Sequence, residues 1–497
     1  MNKNIIRLFT MLLVAVMMLS LISCAGLNND KDKDKIVGMS TPVPIPEELI
    51  GTIVFSSYRT EEGEVAHFEY MQAFVMQYPS VDIELDLTNS YDEYFATLDE
   101  RIKNGTIGDV FTIDAAMIAE YAEAELIVDL SEHSEGVIDY TSNEYEKLYP
   151  SKLFFPAAFE NSLYEGRLYM CPVEYNNTVV FLNLDMLSKT DIDPIVPDDD
   201  WTWQDIEVIA EKLKEAGCTT PIVMDYFDYS VWGAFARSKG ATLYNEISFS
   251  DKEIEMTLTN PDVISGIEYL ANNFIRKGYV ADKVPSELSA SDLAQYGIVI
   301  CNHSDLVRWG SDLIANEEAD NGFEWELAHF PGFYNEETDT VNHAIGVQTI
   351  GLAVFNREQY NIDNGIYDSI NDEELLEEEK NNVENSIINS IKFALYAMVK
   401  EAAVAITGPD GYRVPALMSA NAMKYWRKYP VDGKNTSVFS LYNENDFAGE
   451  LSSFLTLAPT NEIEKAMGSA IQKYSNDSDS KTFDKYMQEI QDAVNTH

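Results

Sequence analysis

Cations are scarce in this sequence: 34 Lys and Arg stand against 84 Asp and Glu in 497 residues. The first 23 residues hold two cations and no acid, so the remainder carries −52 against −50 for the whole. A chain this acidic repels phosphate backbones and anionic lipid surfaces, which argues against nucleic-acid binding. Neutral or cationic molecules are its easier ligands. Cysteine is scarce too, with four in all, and Cys171, Cys218 and Cys301 have neither close pairing nor CxxC spacing. That excludes a disulfide framework. Cys301 and His303 offer two metal ligands without companions, so no metal and no other cofactor is expected. Six scattered histidines form no visible triad, and G-x-S-x-G, H-E-x-x-H and P-loop spacings are missing.

Long apolar runs are confined to the start. Lys3 and Arg7 precede a charge-free stretch from Leu8 to Ile22, too short for the roughly 20 residues a spanning helix needs. Basic, then apolar, then small residues is the order of a secretory signal. This one ends on Leu21-Ile22-Ser23-Cys24, which resembles the lipobox of bacterial lipoproteins. The resemblance implies cleavage after Ser23 and acylation of Cys24, and so an anchor on the outer face of the cytoplasmic membrane. From 24 to 50 the chain reads as a tether: charges alternate from Asn28 to Lys35, and Pro42, Pro44 and Pro46 follow.

What is abundant is the composition of a globular protein, 45% hydrophobic, in a chain long enough for two or three domains. A short strand over Thr52–Phe55 leads into a polar loop from Ser56 to Gly63. Val65, Phe68, Val75 and Tyr78 fall at helical spacing, stopped by Pro79. Val81, Ile83, Leu85 and Leu87 alternate with acids, the pattern of a strand with one wet face. Helix Tyr91–Lys103, strand Asp109–Ile113 and helix Ala115–Ala124 continue the alternation, which predicts an α/β sheet with parallel connections. Two further strands are expected at Leu168–Tyr175 and Thr178–Leu184. Thr202-Trp203-Gln204-Asp205 predicts a capped helix start, and Glu373–Glu384 the beginning of a solvated helix.

The order of segments then resembles a known family, the extracellular solute-binding proteins of bacterial ABC importers, in the carbohydrate-type group of the maltose-binding protein. The residues that carry it are Asp109–Asp114 with Leu126–Leu130, Tyr164–Tyr169 with Pro172, Val180–Leu187, Thr202-Trp203, Trp325–Gly332 and Gly411–Ala416. The resemblance implies an α/β, two-lobed periplasmic-binding-protein-like fold (type II) with crossing hinge strands and a helical C-terminal part. Residues 51–173 with about 331–407 would form lobe 1, and about 174–330 with 408–497 lobe 2. It also implies a monomer that captures a sugar or oligosaccharide between the lobes and delivers it to permease subunits without turnover. A surface-anchored glycoside hydrolase and an adhesive lipoprotein remain as alternatives.

A sugar needs aromatic plates for its faces and planar polar groups for its hydroxyls. Tyr229 and Trp232 are the expected plates, in the part of the second lobe where the family places stacking aromatics. Glu174, Asn176 and Asn177 sit where the chain first crosses between lobes. Asp114 lies at the carboxyl end of a strand, where open α/β sheets bind ligands, although N-capping would also account for it. Tyr58, Arg59 and Glu62 follow the first strand at the same sheet edge. Gln348 and Arg413 complete the set. Where the family often has a Gly-Ser-Trp-like turn, this chain reads Asn302-His303-Ser304-Asp305, and Trp309 comes about one turn later.

Overall fold

The computed structural model describes residues 49–59, 64–133, 154–193, 200–241, 256–318, 322–407, 413–418, 434–439, 452–455, 462–476 and 482–494, with positions 196 and 243. All of them belong to the unit that begins at Glu47. The leader, Cys24, most of the tether and Glu62 lie outside the described residues. Among those described, no helix is long and apolar enough to cross a membrane.

Thirteen strands are present among the described residues. They are β1 (Gly51–Tyr58), β2 (Val81–Thr88), β3 (Val110–Asp114), β4 (Leu163–Tyr164), β5 (Arg167–Leu168), β6 (Cys171–Asn183), β7 (Ile222–Val223), β8 (Ile298–Asn302), β9 (Trp325–Ala328), β10 (Gly332–Asn335), β11 (Thr340–Val354), β12 (Val414–Pro415) and β13 (Ser452–Leu455). The main path runs β2-β1-β3-β11-β6-β8-β7. Parallel pairing of β1 with β2 and β3 is the α/β pattern that the alternation predicts.

The helices that matter below are α1 (Glu64–Gln77), α2 (Tyr91–Lys103), α3 (Trp203–Glu215), α4 (Tyr229–Arg237), α5 (His303–Glu318, broken at Gly310), α6 (Glu373–Tyr396) and α7 (Glu462–Asn476). The β1–β3 layer is covered on both sides. On one face α2 buries Tyr94, Phe95, Leu98 and Ile102. On the other, Tyr70 and Phe74 of α1 meet Phe393 of α6, with ring centroids 4.9 and 5.1 Å away, and the Tyr70 hydroxyl donates to the Phe393 carbonyl. The other half has a tryptophan-rich core: Trp203 stacks on Phe235 at 3.8 Å, and Trp325 on Phe181 at 5.2 Å. The Thr202–Asp205 capping box forms as expected and fixes the start of α3.

The structure departs from the pattern in two informative places. Ser56 and Ser57 are strand residues and fully buried, because every hydroxyl finds a partner. Ser56 Oγ donates to Asp86 Oδ2 (2.7 Å) and accepts from Gly108 N (2.9 Å), while Ser57 Oγ pairs with Thr112 Oγ1 (2.8 Å). Satisfied hydroxyls are compatible with a strand where polarity alone suggests a loop. The second departure is β6, one 13-residue strand in place of two. Asn176 and Asn177 resemble a break, yet they mark the point where β6 changes neighbours. Residues 171–177 pair with β11, and 178–183 pair with β8 and β9.

Close approach of β6 and β11 depends on Gly351, which sits beside a register shift. A Cβ there would lie 2.2 Å from the Cys171 carbonyl oxygen, a backbone atom that cannot step aside. Gly351→Ala is therefore expected to destabilise the chain by about 1–3 kcal/mol, as other forced overpacking does. Urea unfolding should show a lower midpoint with an unchanged slope; an unchanged midpoint would contradict this tight contact.

Candidate functional site

Where β6 changes partners, two cavities of about 370 and 350 Å³ adjoin and share Tyr91, Asn176, Asn302 and Gln348. Each is in the size range of a small-molecule site. Their shared floor follows from strand register: Asn176 of β6 stands directly opposite Gln348 of β11. Side chains two apart on a strand share a face, so Glu174 lies beside Asn176, and Ile350 beside Gln348.

An ion pair lines the second cavity. Arg413 Nε lies 3.1 Å from Glu174 Oε2, with both side chains nearly buried. Burial raises the Glu174 pKa, and the Arg413 charge opposes that shift. The Tyr58 hydroxyl approaches Glu174 Oε1 at 3.5 Å, and its ring lies edge-on to Tyr91 at 5.2 Å. Tyr58, Glu174, Asn176, Gln348 and Arg413 are thus brought together, and Asn177 joins Asn176 in the first cavity. Asn176 is tied to the start of α5: its Oδ1 accepts from His303 N (3.2 Å), and its Nδ2 donates to Ser304 Oγ (3.4 Å).

Asp114 borders neither cavity. It is fully buried, with Oδ1 accepting from Ala116 N (2.9 Å) and Oδ2 from Gln348 Nε2 (2.8 Å). Gln348 Nε2 also donates to the Tyr91 hydroxyl (2.7 Å). Asp114 therefore caps its own helical turn and orients Gln348, which does reach the cleft. Burial raises its pKa to about 6, against the opposing effect of these hydrogen bonds.

Four other expected contacts are corrected. Tyr229 and Trp232 are fully buried with their rings 4.7 Å apart, so neither offers a face to a ligand. They lie on α4, a helix buried on all sides from Tyr229 to Ala236. Trp309 is also interior, its Nε1 donating to the Leu288 carbonyl (2.8 Å) and its ring meeting Phe181 edge-on. Arg59 is exposed and lines neither cavity; its backbone N–H donates to Thr88 O and prolongs the β1–β2 pairing. The aromatic rings of the first cavity are Tyr91 and Phe227. Phe227 packs on α7 at Gly468, where a Cβ would fall 2.2 Å from the ring.

The sequence reading also misses an acidic wall. Asp225, Asp228 and Glu464 line the first cavity. Asp228 caps α4 by accepting from Ser230 N (2.7 Å), and Glu464 of α7 accepts from Tyr229 N (2.9 Å) at the same helix end. Burial raises Asp228 to about 6. Burial, then the charges of Asp228, Asp225 and Asp114, raises Glu464 to about 8. The cap at Asp228 is legible in Asp-Tyr-Ser before an apolar stretch. Glu464 has no local signal, since one acid on an amphipathic helix looks like any other.

A carboxyl whose folded pKa is raised favours folding while protonated, and that contribution is lost as pH climbs through the folded value. Glu464 should therefore stabilise the empty protein below about pH 4.5 relative to pH 8, its ordinary and folded values. Glu464→Gln keeps the acceptor for Tyr229 N and removes the charge. Its melting temperature is expected to exceed that of the parent at pH 8.5, with the difference shrinking as pH falls and vanishing only below about pH 4.5. Equal melting curves at both pH values would contradict a raised Glu464.

Comparison with known proteins shows the family and the fold. Residues 69–361, more than half of the chain, match the family model described as bacterial extracellular solute-binding protein. Among solved structures, the fold is similar to an ABC substrate-binding protein from Listeria monocytogenes in complex with cycloalternan, at 20% identity and a TM-score of 0.61, over 90% of this chain and 98% of that one. It is similar to the sugar-binding protein MalE of Xanthomonas citri at 14% identity and a TM-score of 0.64, over 90% and 96%. A maltotriose-binding protein of Thermus thermophilus, bound to maltotriose, matches at 14% identity and a TM-score of 0.57, over 90% and 99%. The fold is thus the α/β, two-lobed one of periplasmic binding proteins, and this chain belongs to the family of bacterial extracellular solute-binding proteins.

Proposed function

We propose that this protein captures a carbohydrate, a sugar or short oligosaccharide, in the cleft at the β6 partner change and hands it to an ABC permease. The observation that carries this reading is the make-up of the cleft. Aromatic rings at Tyr91 and Phe227 stand among planar polar groups at Asn176, Asn177, Asn302, Gln348 and Asp225. Such a mixture suits a molecule with C–H faces and a hydroxyl edge. The cycloalternan and maltotriose held by proteins of this fold support the same class. In this reading lobe 1 comprises residues 51–173 with about 331–407, and lobe 2 about 174–330 with 408–497. The lobes close on the ligand without chemical turnover, and a monomer suffices. A ligand drives closure only through its extra affinity for the closed form.

Two experiments test the reading. Addition of a panel of malto- and cyclic oligosaccharides should raise the melting temperature with the logarithm of ligand concentration above Kd, and saturation should lower the radius of gyration in small-angle scattering. A bound ligand that leaves an open protein's radius unchanged would reject closure, and released products would point to a hydrolase. For the anchor, Cys24→Ala should abolish labelling by a fatty-acid analogue and release the protein from the membrane fraction. Labelled, membrane-bound Cys24→Ala protein would refute acylation at this site.

A further inference from the structure

The Gln348 amide is held by partners that decide which of its two ends meets the cleft. Its Nε2 donates to Asp114 Oδ2 (2.8 Å) and to the Tyr91 hydroxyl (2.7 Å), which uses both of its hydrogens. An ionised carboxylate only accepts, so the nitrogen and not the oxygen must face Asp114. Gln348 Oε1 meets no donor among the described residues and is not shut away from solvent, and the side chain lines both cavities. It is a fixed acceptor left for a ligand. Asn302 stands in the neighbouring row of the same sheet face, opposite Thr178 as Gln348 is opposite Asn176. Its Oδ1 accepts from Ser304 Oγ (2.6 Å) and Asp305 N (3.1 Å), which leaves Nδ2 as a fixed donor. A hydroxyl both donates and accepts, so adjacent hydroxyls of a sugar suit this pair.

The two amides differ in what holds them. Asn302 is oriented by a hydroxyl and a backbone N–H, which do not titrate near neutral pH, whereas Gln348 is oriented by a carboxyl. We propose that Asp114 is a positioning residue: ionised, it keeps the Gln348 carbonyl oxygen toward the ligand, and protonated, it turns the amide round. This rests on the carbohydrate reading above and adds a control on affinity to it. Asp114 Oδ1 is occupied by Ala116 N (2.9 Å), so a proton is taken at Oδ2, the oxygen that faces Gln348. The new O–H donates to the amide oxygen and brings Nε2 toward the cleft. Two donors then stand where a donor and an acceptor stood, and a sugar hydroxyl loses its partner. Burial raises Asp114 to about 6, against the hydrogen bonds from Ala116 N and Gln348. Its titratable neighbours come from several elements. Tyr91 of α2 and Tyr58 of β1 are buried phenols pushed above their ordinary range. Glu174 stands across β11, opposite Ile350 as Asp114 is, and is paired with Arg413. Glu464 of α7 feels the Asp114 charge and is itself raised to about 8.

Two measurements on the mature chain test this, one of them without a ligand. The side-chain amide resonance of Gln348, observed in isotope-labelled glutamine and assigned by its loss in Gln348→Met, should shift with a midpoint near pH 6 in the empty parent. In Asp114→Asn it should hold still. Asparagine keeps the acceptor for Ala116 N and turns its own Nδ2 to Gln348, as the protonated acid turns its O–H. Isothermal titration with maltotriose, a cyclic malto-oligosaccharide and an N-acetylglucosamine trimer reads the consequence. The parent's affinity should fall about 10-fold between pH 7.5 and pH 5, the scale of one hydrogen bond lost and its partner left unmet. Because Asp228 and Glu464 titrate at the same cleft, the variant assigns the effect: folded Asp114→Asn should bind about 10-fold more weakly than the parent at pH 7.5 and lose most of the pH dependence. A Gln348 resonance that does not move, or moves alike in Asp114→Asn, overturns the proposal. So does Asp114→Asn that binds a sugar as tightly as the parent at pH 7.5. If none of the three sugars binds, the carbohydrate reading fails, and the Gln348 resonance alone decides whether Asp114 turns the amide.

Discussion

A β-strand has two edges to pair, and β6 spends them differently along its length. Its first half is held between β11 and β12, and its second between β8 and β9. Backbone groups must be paired wherever they are buried, so this change of neighbours has to occur within a few residues, at Asn176 to Thr178. The register of β11 is pinned at the same place, with Gln348 opposite Asn176 and Gly351 pressed against the Cys171 carbonyl. The β-strand side of the cleft hangs on that junction. Asp114 orients Gln348, which meets the Tyr91 hydroxyl; Asn176 is tied to His303 and Ser304, and Glu174 to Arg413.

The junction also explains why polar side chains can lie so deep. Asparagine amides and a buried Glu–Arg pair are poor core material unless each atom is met. Several acceptors here are met by backbone N–H groups at helix starts, as with His303 N on Asn176 and Tyr229 N on Glu464. Helix N-termini favour negative charge, so the acid at Glu464 and the cap at Asp228 share one electrostatic seat on α4. The seat holds them in position but does not neutralise them.

Much of the architecture is legible in the residues. The β1–α1–β2–α2–β3 order follows from periodicity, and the α3 start from its capping box, because those are local signals. The strand character of Ser56-Ser57 and the continuity of β6 are not legible, since both depend on distant partners for their hydroxyls and amides. In the cleft, the crossing segment at Glu174–Asn177 stands out because polar residues sit in an apolar strand. Tyr229, Trp232 and Trp309 mislead for the opposite reason: a large ring suits a core as well as a ligand, and only packing decides. Glu464 is invisible until α7 is laid against α4.

That last contact has a consequence for how the molecule is made. Tyr91 and Glu464 border one cavity from opposite ends of the described sequence. A growing chain can pair β1 with β2 and β3 from neighbours in sequence, yet that layer waits for β11 and α6, and the cleft lacks one wall until residues past 460 exist. Contacts of such separation form slowly. A chain cut short before α7 would therefore present this cavity without Glu464 and without the helix on which Phe227 packs.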